Sequence, residues 1–257
     1  MELQNLTTQV LGQNCIYLDE VDSTNDYLKR EGERLPHGTV VIAERQVAGK
    51  GRLGRQWAPT DREALAMSLL LRPFLLKQMA ALPLVCGMAV ARALEGLTKE
   101  SFGIKWTNDV VTGGKKVCGI LCESRVMAGE SWAVCGMGVN LVQTEEDFAA
   151  RDLPYATSVA AATGVKVEPF AVAARILNEL EPLCERFAAA GFGALREEYG
   201  RQCVTLGRQV RVTDGGRTLE GTALDVGEDG NLILHVDGKV VHIAAGEASV
   251  RGMYGYI

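Results

Sequence analysis

Apolar runs of two kinds alternate along most of the chain, short β-branched ones and longer Ala- and Leu-rich ones, until the pattern changes near Leu206. QNCIYLDEVD (13–22) is a short apolar run ending in acids, and Ser23-Thr24-Asn25-Asp26 then lead an amphipathic stretch through Arg30. Ser, Thr and Asn suit helix starts, so a helix holding Tyr27 and Leu28 is predicted there; the same hydroxyls and amide could equally line a polar pocket. Thr39 to Ala43 (TVVIA) and Ala64 to Leu71 (ALAMSLLL) predict buried strands, the second closed by Arg72-Pro73. Leu76 to Leu97 predicts a long buried helix with Pro83 near its true start and Gly87, Ala89, Ala91 and Ala93 small enough for close packing. Gly103 to Val111, the Gly113-Gly114 step and a strand from Lys116 to Val126 read as a hairpin. Trp132 to Leu141 (WAVCGMGVNL) predicts another strand, whose Gly136 and Gly138 imply that something approaches its backbone closely. Ser158 to Thr163 and Pro169 to Ala190 are helical in pattern, with Pro182 expected to bend or divide the second.

Beyond Leu206 short alternating strands are split by Asp214-Gly215-Gly216, Glu228-Asp229-Gly230-Asn231 and Asp237-Gly238, a small all-β module of about 50 residues. With 257 residues, 47% hydrophobic and 23% charged, the chain suits a large domain, taken as 1–203, followed by a small one, 204–257. No apolar run nears the roughly 20 residues that span a bilayer, and the first residues lack a signal layout, so a cytoplasmic protein is expected. A net charge of −5 argues against a sequence-independent grip on nucleic acid, and so do the five basic and seven acidic residues of the β module. Seven cysteines in apolar runs without C-x-x-C spacing read as reduced core thiols, and no zinc-type site is expected. The three histidines, His37, His235 and His242, lie near no nucleophile motif, which argues against a serine or cysteine hydrolase.

One stretch changes the picture. Ala43 to Trp57 (AERQVAGKGRLGRQW) sets Arg45, Lys50, Arg52 and Arg55 among Gly49, Gly51 and Gly54 with a single acid, Glu44. Glycines let backbone amides approach a ligand and the cations supply the field an anion needs, so the expected occupant is a phosphate or a carboxylate. The glycines satisfy G-x-G-x-x-G, but Gln56-Trp57-Ala58-Pro59 is a poor helix start for a dinucleotide fingerprint. A Walker A loop fails too, with Arg55 in place of its Lys and Gln56 in place of its Ser or Thr. Lys105, between Ile104 and Trp106 in a strand-like run, either points to solvent or is held for a bound anion.

Asp22-Ser23-Thr24-Asn25, GKGRLGRQW (49–57), KWTNDV (105–110) with CGILCE (118–123), and GMGVNL (136–141) together resemble the biotin protein ligase family in order and spacing. The final module resembles that family's SH3-like barrel, so the likeness covers nearly the whole chain. It implies an α+β fold, a mixed, largely antiparallel sheet with flanking helices, as in lipoate ligases, plus the small barrel. It implies a biotin–[biotin carboxyl carrier protein] ligase that joins biotin to ATP, with Mg²⁺, as biotinyl-5′-AMP and then biotinylates a lysine of the carrier domain of a carboxylase such as acetyl-CoA carboxylase. A homodimer is allowed; the metal ligands are not assigned.

Laid on matching residues, the resemblance gives Ser23, Thr24, Asn25 and Gln46 to the ureido ring of biotin, with Lys50, Gly51, Arg52 and Lys105 also on the biotin side. Arg52, Arg55, Trp57, Lys105, Asn108 and Asn140 fall to the nucleotide, and Lys105 and Arg52 to catalysis. Two positions depart from the family pattern: Lys50 stands where Arg is frequent, and Thr107 where K-W-P-N-D has Pro. Lys keeps the charge but loses the planar fork, and Thr restores an N–H. Only about 20 residues precede Ser23, too few for the helix-turn-helix repressor unit that some members carry. The alternatives are a lipoate-type ligase on the same scaffold and a non-catalytic anion-binding module.

Overall fold

The structure is a computed structural model that describes residues 3–57, 63–72, 78–127, 130–214, 216–245, 248–253 and 255–257. Its first sheet is built from β1 (Cys15–Val21), β2 (Val40–Gln46), β3 (Ala64–Leu71), β4 (Gly103–Lys105), β5 (Asp109–Thr112), β6 (Lys115–Met127) and β7 (Glu130–Asn140). The strand order is β1-β2-β3-β7-β6-β5-β4, with β1 and β2 parallel and every other neighbour antiparallel. The parallel step needs a crossover, which α1 (Thr24–Glu31) supplies.

Both faces of this sheet are covered, which is why its strands read as continuous apolar runs. On one face Val41, Leu70, Trp132 and Val134 pack against Leu28 of α1. On the other, Val40, Ile42, Leu69, Cys135 and Met137 meet α2 (Leu82–Thr98) and α5 (Pro169–Ala190). The glycine expected to admit a close neighbour does so. A β-carbon on Gly136 would collide with the Asn25 amide of α1, so only glycine lets that helix lie on β7.

The second sheet, β8 (Gln209–Asp214), β9 (Arg217–Val226), β10 (Leu232–Val236), β11 (Lys239–Ile243) and β12 (Ser249–Gly252), is antiparallel in the order β11-β10-β9-β8-β12, as the SH3-like expectation required. Its Val210, Val212, Leu232 and Leu234 join the same core as the first sheet. Trp106 fastens the seam: its backbone N–H donates to Thr205 Oγ1 at 2.9 Å and its indole Nε1 to Gly230 O at 3.0 Å.

Several expectations needed correction. The long helix begins at Leu82, preceded by a turn at 78–81, with Pro83 in its first turn; 73–77, part of the predicted start, lie outside the described residues. Pro182 does not divide α5, which runs unbroken because Leu177, Leu180, Leu183 and Phe187 keep one buried face across it. The strand after Thr39 continues to Gln46, which makes Gln46 a strand residue. Helices α3 (Glu145–Ala150), closed by a Thr144–Asp147 capping box, α4 (Val159–Thr163) and α6 (Arg196–Gln202) complete the chain, α3 and α6 unforeseen. The cysteines form no disulfide, and Cys86 of α2, Cys122 of β6 and Cys135 of β7 bring their thiols within 4.8 Å of one another. Burial pushes the Cys122 thiol well up, which keeps it protonated and apolar in character. Among the described residues no helix is long and apolar enough to cross a membrane.

Gly136→Ala is expected to destabilise the fold by about 1–3 kcal/mol through overpacking against Asn25, read as a lower urea midpoint at unchanged slope.

Candidate active site

The helix start at Ser23 resolves the choice the sequence left open. Ser23 stands at the N-cap of α1, but its side chain makes no capping hydrogen bond. Thr24 and Asn25 are buried and spend their polar atoms inward. Thr24 donates from its N–H and its Oγ1 to Gln46 Oε1, at 2.8 and 3.1 Å. A backbone N–H can only donate, so the Gln46 oxygen faces Thr24 and its NH₂ is left as the group to offer a ligand. Ser68 of β3 lies 2.6 Å from Asn25 Oδ1 and 2.7 Å from Thr24 Oγ1. Asn25 Nδ2 donates to Leu121 O and to Glu123 Oε2, at 3.1 and 2.8 Å. Ser23, Thr24, Asn25 and Gln46 line a small cavity together with Lys50, Arg52, Trp57, Lys116 and Gly138.

The glycine-rich stretch forms a short hairpin over that cavity. Trp57 N–H donates to Gly49 O and Gly51 N–H to Arg55 O, at 2.9 and 2.7 Å, and a 3₁₀ turn at Arg52–Gly54 makes the tip. Leu53 and Gly54 there have φ of 56° and 71°. Its cations meet different partners. Arg45 lies on β2 and pairs with Glu20, outside the site, which corrects its inclusion in the anion-binding cluster. Lys50 pairs with Asp26 of α1 at 2.6 Å and tethers the hairpin. Arg52 donates to Asn108 Oδ1 at 2.8 Å and to Ala248 O at 2.9 Å, linking the hairpin to both sheets. Arg55 is exposed and lines the cleft that also holds Lys105.

Trp57 forms the wall between that small cavity and a cleft of about 550 Å³. A β-carbon on Gly138 would sit 2.6 Å from its indole, the second close approach foreseen from the strand glycines. Lys105, Asn108, Asn140, Tyr155 and Tyr256 line the cleft, and Asn140 Nδ2 donates to Thr157 O at 2.9 Å. Lys105 is only 6% exposed. It therefore does not point to solvent. Burial lowers its pKa to about 8, Asp109 opposes that fall, and Arg251, Lys116 and Arg55 add to it. Lys105 Nζ lies 3.9 Å from the centroid of the Tyr256 ring. Thr107 stands in the turn that follows, and its peptide bond with Trp106 is cis.

Three residues the sequence reading passed over complete the cleft. Lys116 lines both cavities and pairs with Asp109 Oδ1 at 2.5 Å. The Tyr256 hydroxyl donates to Asp109 Oδ2, also at 2.5 Å. Burial alone would raise the Asp109 carboxyl, but the Lys116 and Lys105 charges bring it below its ordinary value. Burial and the Asp109 charge push the Tyr256 phenol up, which keeps it a donor. A signal for Lys116 was available. Lys115 and Lys116 are adjacent on a strand and so face opposite sides; Lys115 pairs at the surface with Glu145, and its neighbour must turn the other way. Nothing comparable marked Tyr256, far away along the chain.

Residues 17–140 match the Biotin/lipoate A/B protein ligase family and residues 205–251 the Biotin protein ligase C terminal domain. The chain is 32% identical over 232 residues to the bifunctional ligase/repressor BirA of Bacillus spizizenii, covering 89% of this chain and 71% of that protein. It is 34% identical over 216 residues to a biotin–[acetyl-CoA-carboxylase] ligase of Mycobacterium tuberculosis, covering 82% and 78%. In three dimensions it superposes on the biotin protein ligase from Aquifex aeolicus in complex with biotin and ATP with a TM-score of 0.82 and 30% identity, over 93% of this chain and 99% of that one. Four sequence motifs, a seven-stranded sheet with an appended β module, and relatives matched over most of their length agree: the chain belongs to the biotin protein ligase family and is a ligase.

Proposed function

We propose that this chain joins biotin to ATP as biotinyl-5′-AMP with release of pyrophosphate, and then transfers the biotinyl group to a lysine of the biotin carboxyl carrier domain of a biotin-dependent carboxylase. The observation that carries the reading is the junction of the two cavities. A small pocket with the neutral donors and acceptors of Ser23, Thr24, Asn25 and Gln46 at one end shares Arg52, Trp57 and Lys116 with a cleft that buries Lys105. Biotin has the matching shape, a neutral ureido ring at one end and a carboxylate at the other.

In this proposal the Ser23 hydroxyl, Thr24, Asn25 and the Gln46 NH₂ surround the ureido group, with Lys50 and Gly51 closing over it. The carboxylate reaches the junction, where Arg52 and Lys116 meet it. Lys105 faces the α-phosphate, while Trp57, Asn108, Asn140 and Arg55 border the rest of the nucleotide. A carboxylate oxygen attacks the α-phosphorus and the bond to the pyrophosphate oxygen breaks. The carboxylate is already ionised at neutral pH, so this step needs no general base. What opposes it is the repulsion of two anions, and cations fixed beforehand lower that barrier. In the second step the neutral amine of the carrier lysine attacks the carbonyl carbon of the mixed anhydride and AMP leaves with the bonding pair.

Mg²⁺ is proposed as a companion of ATP. It needs several oxygen ligands, and both oxygens of Asp109 are already held by Lys116 and Tyr256, so this carboxylate does not fit as its ligand. A homodimer is also part of the proposal. Beyond Ile120, β6 pairs only with β7 among the described residues, so its outer edge is open to a strand of a carrier or of a second copy.

Pyrophosphate release from protein, biotin and MgATP tests the activity. Lys105→Ala is expected to cut that release by about 100-fold or more, with biotin affinity within about threefold of wild type; an unchanged rate refutes the role given to Lys105. Because the charged form of Lys105 is the useful one, kcat/KM is expected to fall as pH rises through about 8, and a flat profile there would count against it. The hairpin tip holds a leucine in the left-handed region, at a cost of about 1–2 kcal/mol, and the tip is expected to open readily when no ligand is bound. Trypsin should then cut within Gly49–Arg55 rapidly in the free protein and slowly with biotin and MgATP; equal cutting in both states argues against closure.

A further inference from the structure

Lys105 and Asp109 are directly opposite each other in the β4–β5 register, where opposite charges ordinarily pair. They do not. Among the described residues Lys105 forms no ion pair, and Asp109 gives one oxygen to Lys116 and the other to Tyr256. The side chain in contact with Lys105 Nζ is instead the Tyr256 ring, which also lies 4.8 Å from Arg251 Cζ and stacks on Tyr155 with centroids 5.5 Å apart.

The tail that carries Tyr256 is folded back on itself. Gly252 and Gly255 form an antiparallel bridge, and a β-carbon on Gly252 would collide with the Ile257 main chain. The tail therefore reaches the cleft because glycine stands at 252. None of the four sequence motifs includes it, and the residue roles given above do not use its aromatic ring.

We propose that Tyr256 is a positioning residue for Lys105, its ring seating the ammonium without neutralising it and its hydroxyl keeping Asp109 turned toward Lys116. The physical reason is a choice between partners. A carboxylate would hold a buried ammonium but cancel its charge, so an arriving phosphate would meet a neutral pair. An aromatic face attracts the ammonium through its quadrupole and adds no formal charge, so the cation stays available. The hydroxyl completes the arrangement by occupying the Asp109 oxygen that could otherwise swing across the hairpin. This rests on the part given to Lys105 in the proposed adenylation. It extends it by making the second sheet's tail a component of the reacting centre.

The groups facing Lys105 are Asp109 on β5, Lys116 on β6, Arg251 on β12, Arg55 on the hairpin and Tyr256 itself. Two variants of the full chain separate the two contacts: Tyr256→Phe keeps the ring and removes the hydroxyl, and Tyr256→Leu removes both. Each is first checked for an intact fold by its amide NMR spectrum. The Lys105 side-chain nitrogen is then titrated by ¹⁵N NMR, with Lys105→Arg giving its assignment, and pyrophosphate release with biotin and MgATP is measured in parallel. In Tyr256→Phe, Asp109 is expected to turn to Lys105, moving its titration upward by about one unit. Its kcat is expected to fall about tenfold with KM for biotin within about twofold. Tyr256→Leu should lose more in kcat. Lys105 titrating at the wild-type pH in both variants, or a wild-type kcat in Tyr256→Phe, overturns the proposal. If the wild-type protein releases no pyrophosphate, the proposed function fails, while the nitrogen titration still decides whether Tyr256 sets the state of Lys105.

Discussion

One buried lysine, Lys105, with further cations gathered around it, is the constraint on which the rest of this structure depends. Lys105 lies in a cleft with half-buried Lys116, Arg251 and Arg52 and exposed Arg55, and of the carboxylates that line it, Asp109 and Asp152, it is Asp109 that pairs with Lys116. Withdrawing a charge such as that of Lys105 from water costs on the order of several kcal/mol unless partners compensate. The compensation is partial by design of the surroundings: one carboxylate shared between a lysine and a phenol, an aromatic face under Lys105, and carbonyl and amide oxygens around Arg52. What remains is a cleft whose lining carries more positive than negative charge, held together by the large apolar core.

That balance explains why the two sheets are packed as one body. The first sheet contributes Lys105, Asp109 and Lys116, the second Arg251, the Ala248 carbonyl and, through its tail, Tyr256. Neither half has the arrangement alone. Trp106 pins the seam between them one residue away from Lys105, so the orientation of the lysine and the docking of the β module are fixed by the same short segment. The small neutral pocket is built differently, from hydrogen bonds among α1, β2 and β3, and it meets the cationic cleft at Trp57.

Much of the fold was legible in the amino-acid pattern, for reasons that can be stated. β3 and β7 are buried on both faces and so appear as unbroken apolar runs, and the turns of the β module announce themselves by Gly beside Asp or Asn. Gly136 and Gly138 were readable because only a close neighbour explains two glycines in a strand, though the neighbours, Asn25 and Trp57, were not. Pro182 does not divide α5, since a local rule about proline yields to a long buried helix face. Nor does Arg45 join the site: adjacency to the basic loop suggested membership, but the strand continues past it and turns it toward Glu20.

By itself the sequence determined the strands and helices, the glycine-rich hairpin and the set of motifs that mark the family, because each depends on residues near one another along the chain. Only the tertiary structure decided which cations share a cleft, that Asp109 pairs with Lys116 and not with the lysine opposite it, and that Tyr256 stands beneath Lys105. It also gathered Cys86, Cys122 and Cys135 into one cluster that no spacing foretold. The physical reason is common to all of these. Charge, burial and contact between side chains act through distance in space, and residues such as 105, 116 and 256 become neighbours only when the core beneath them has packed.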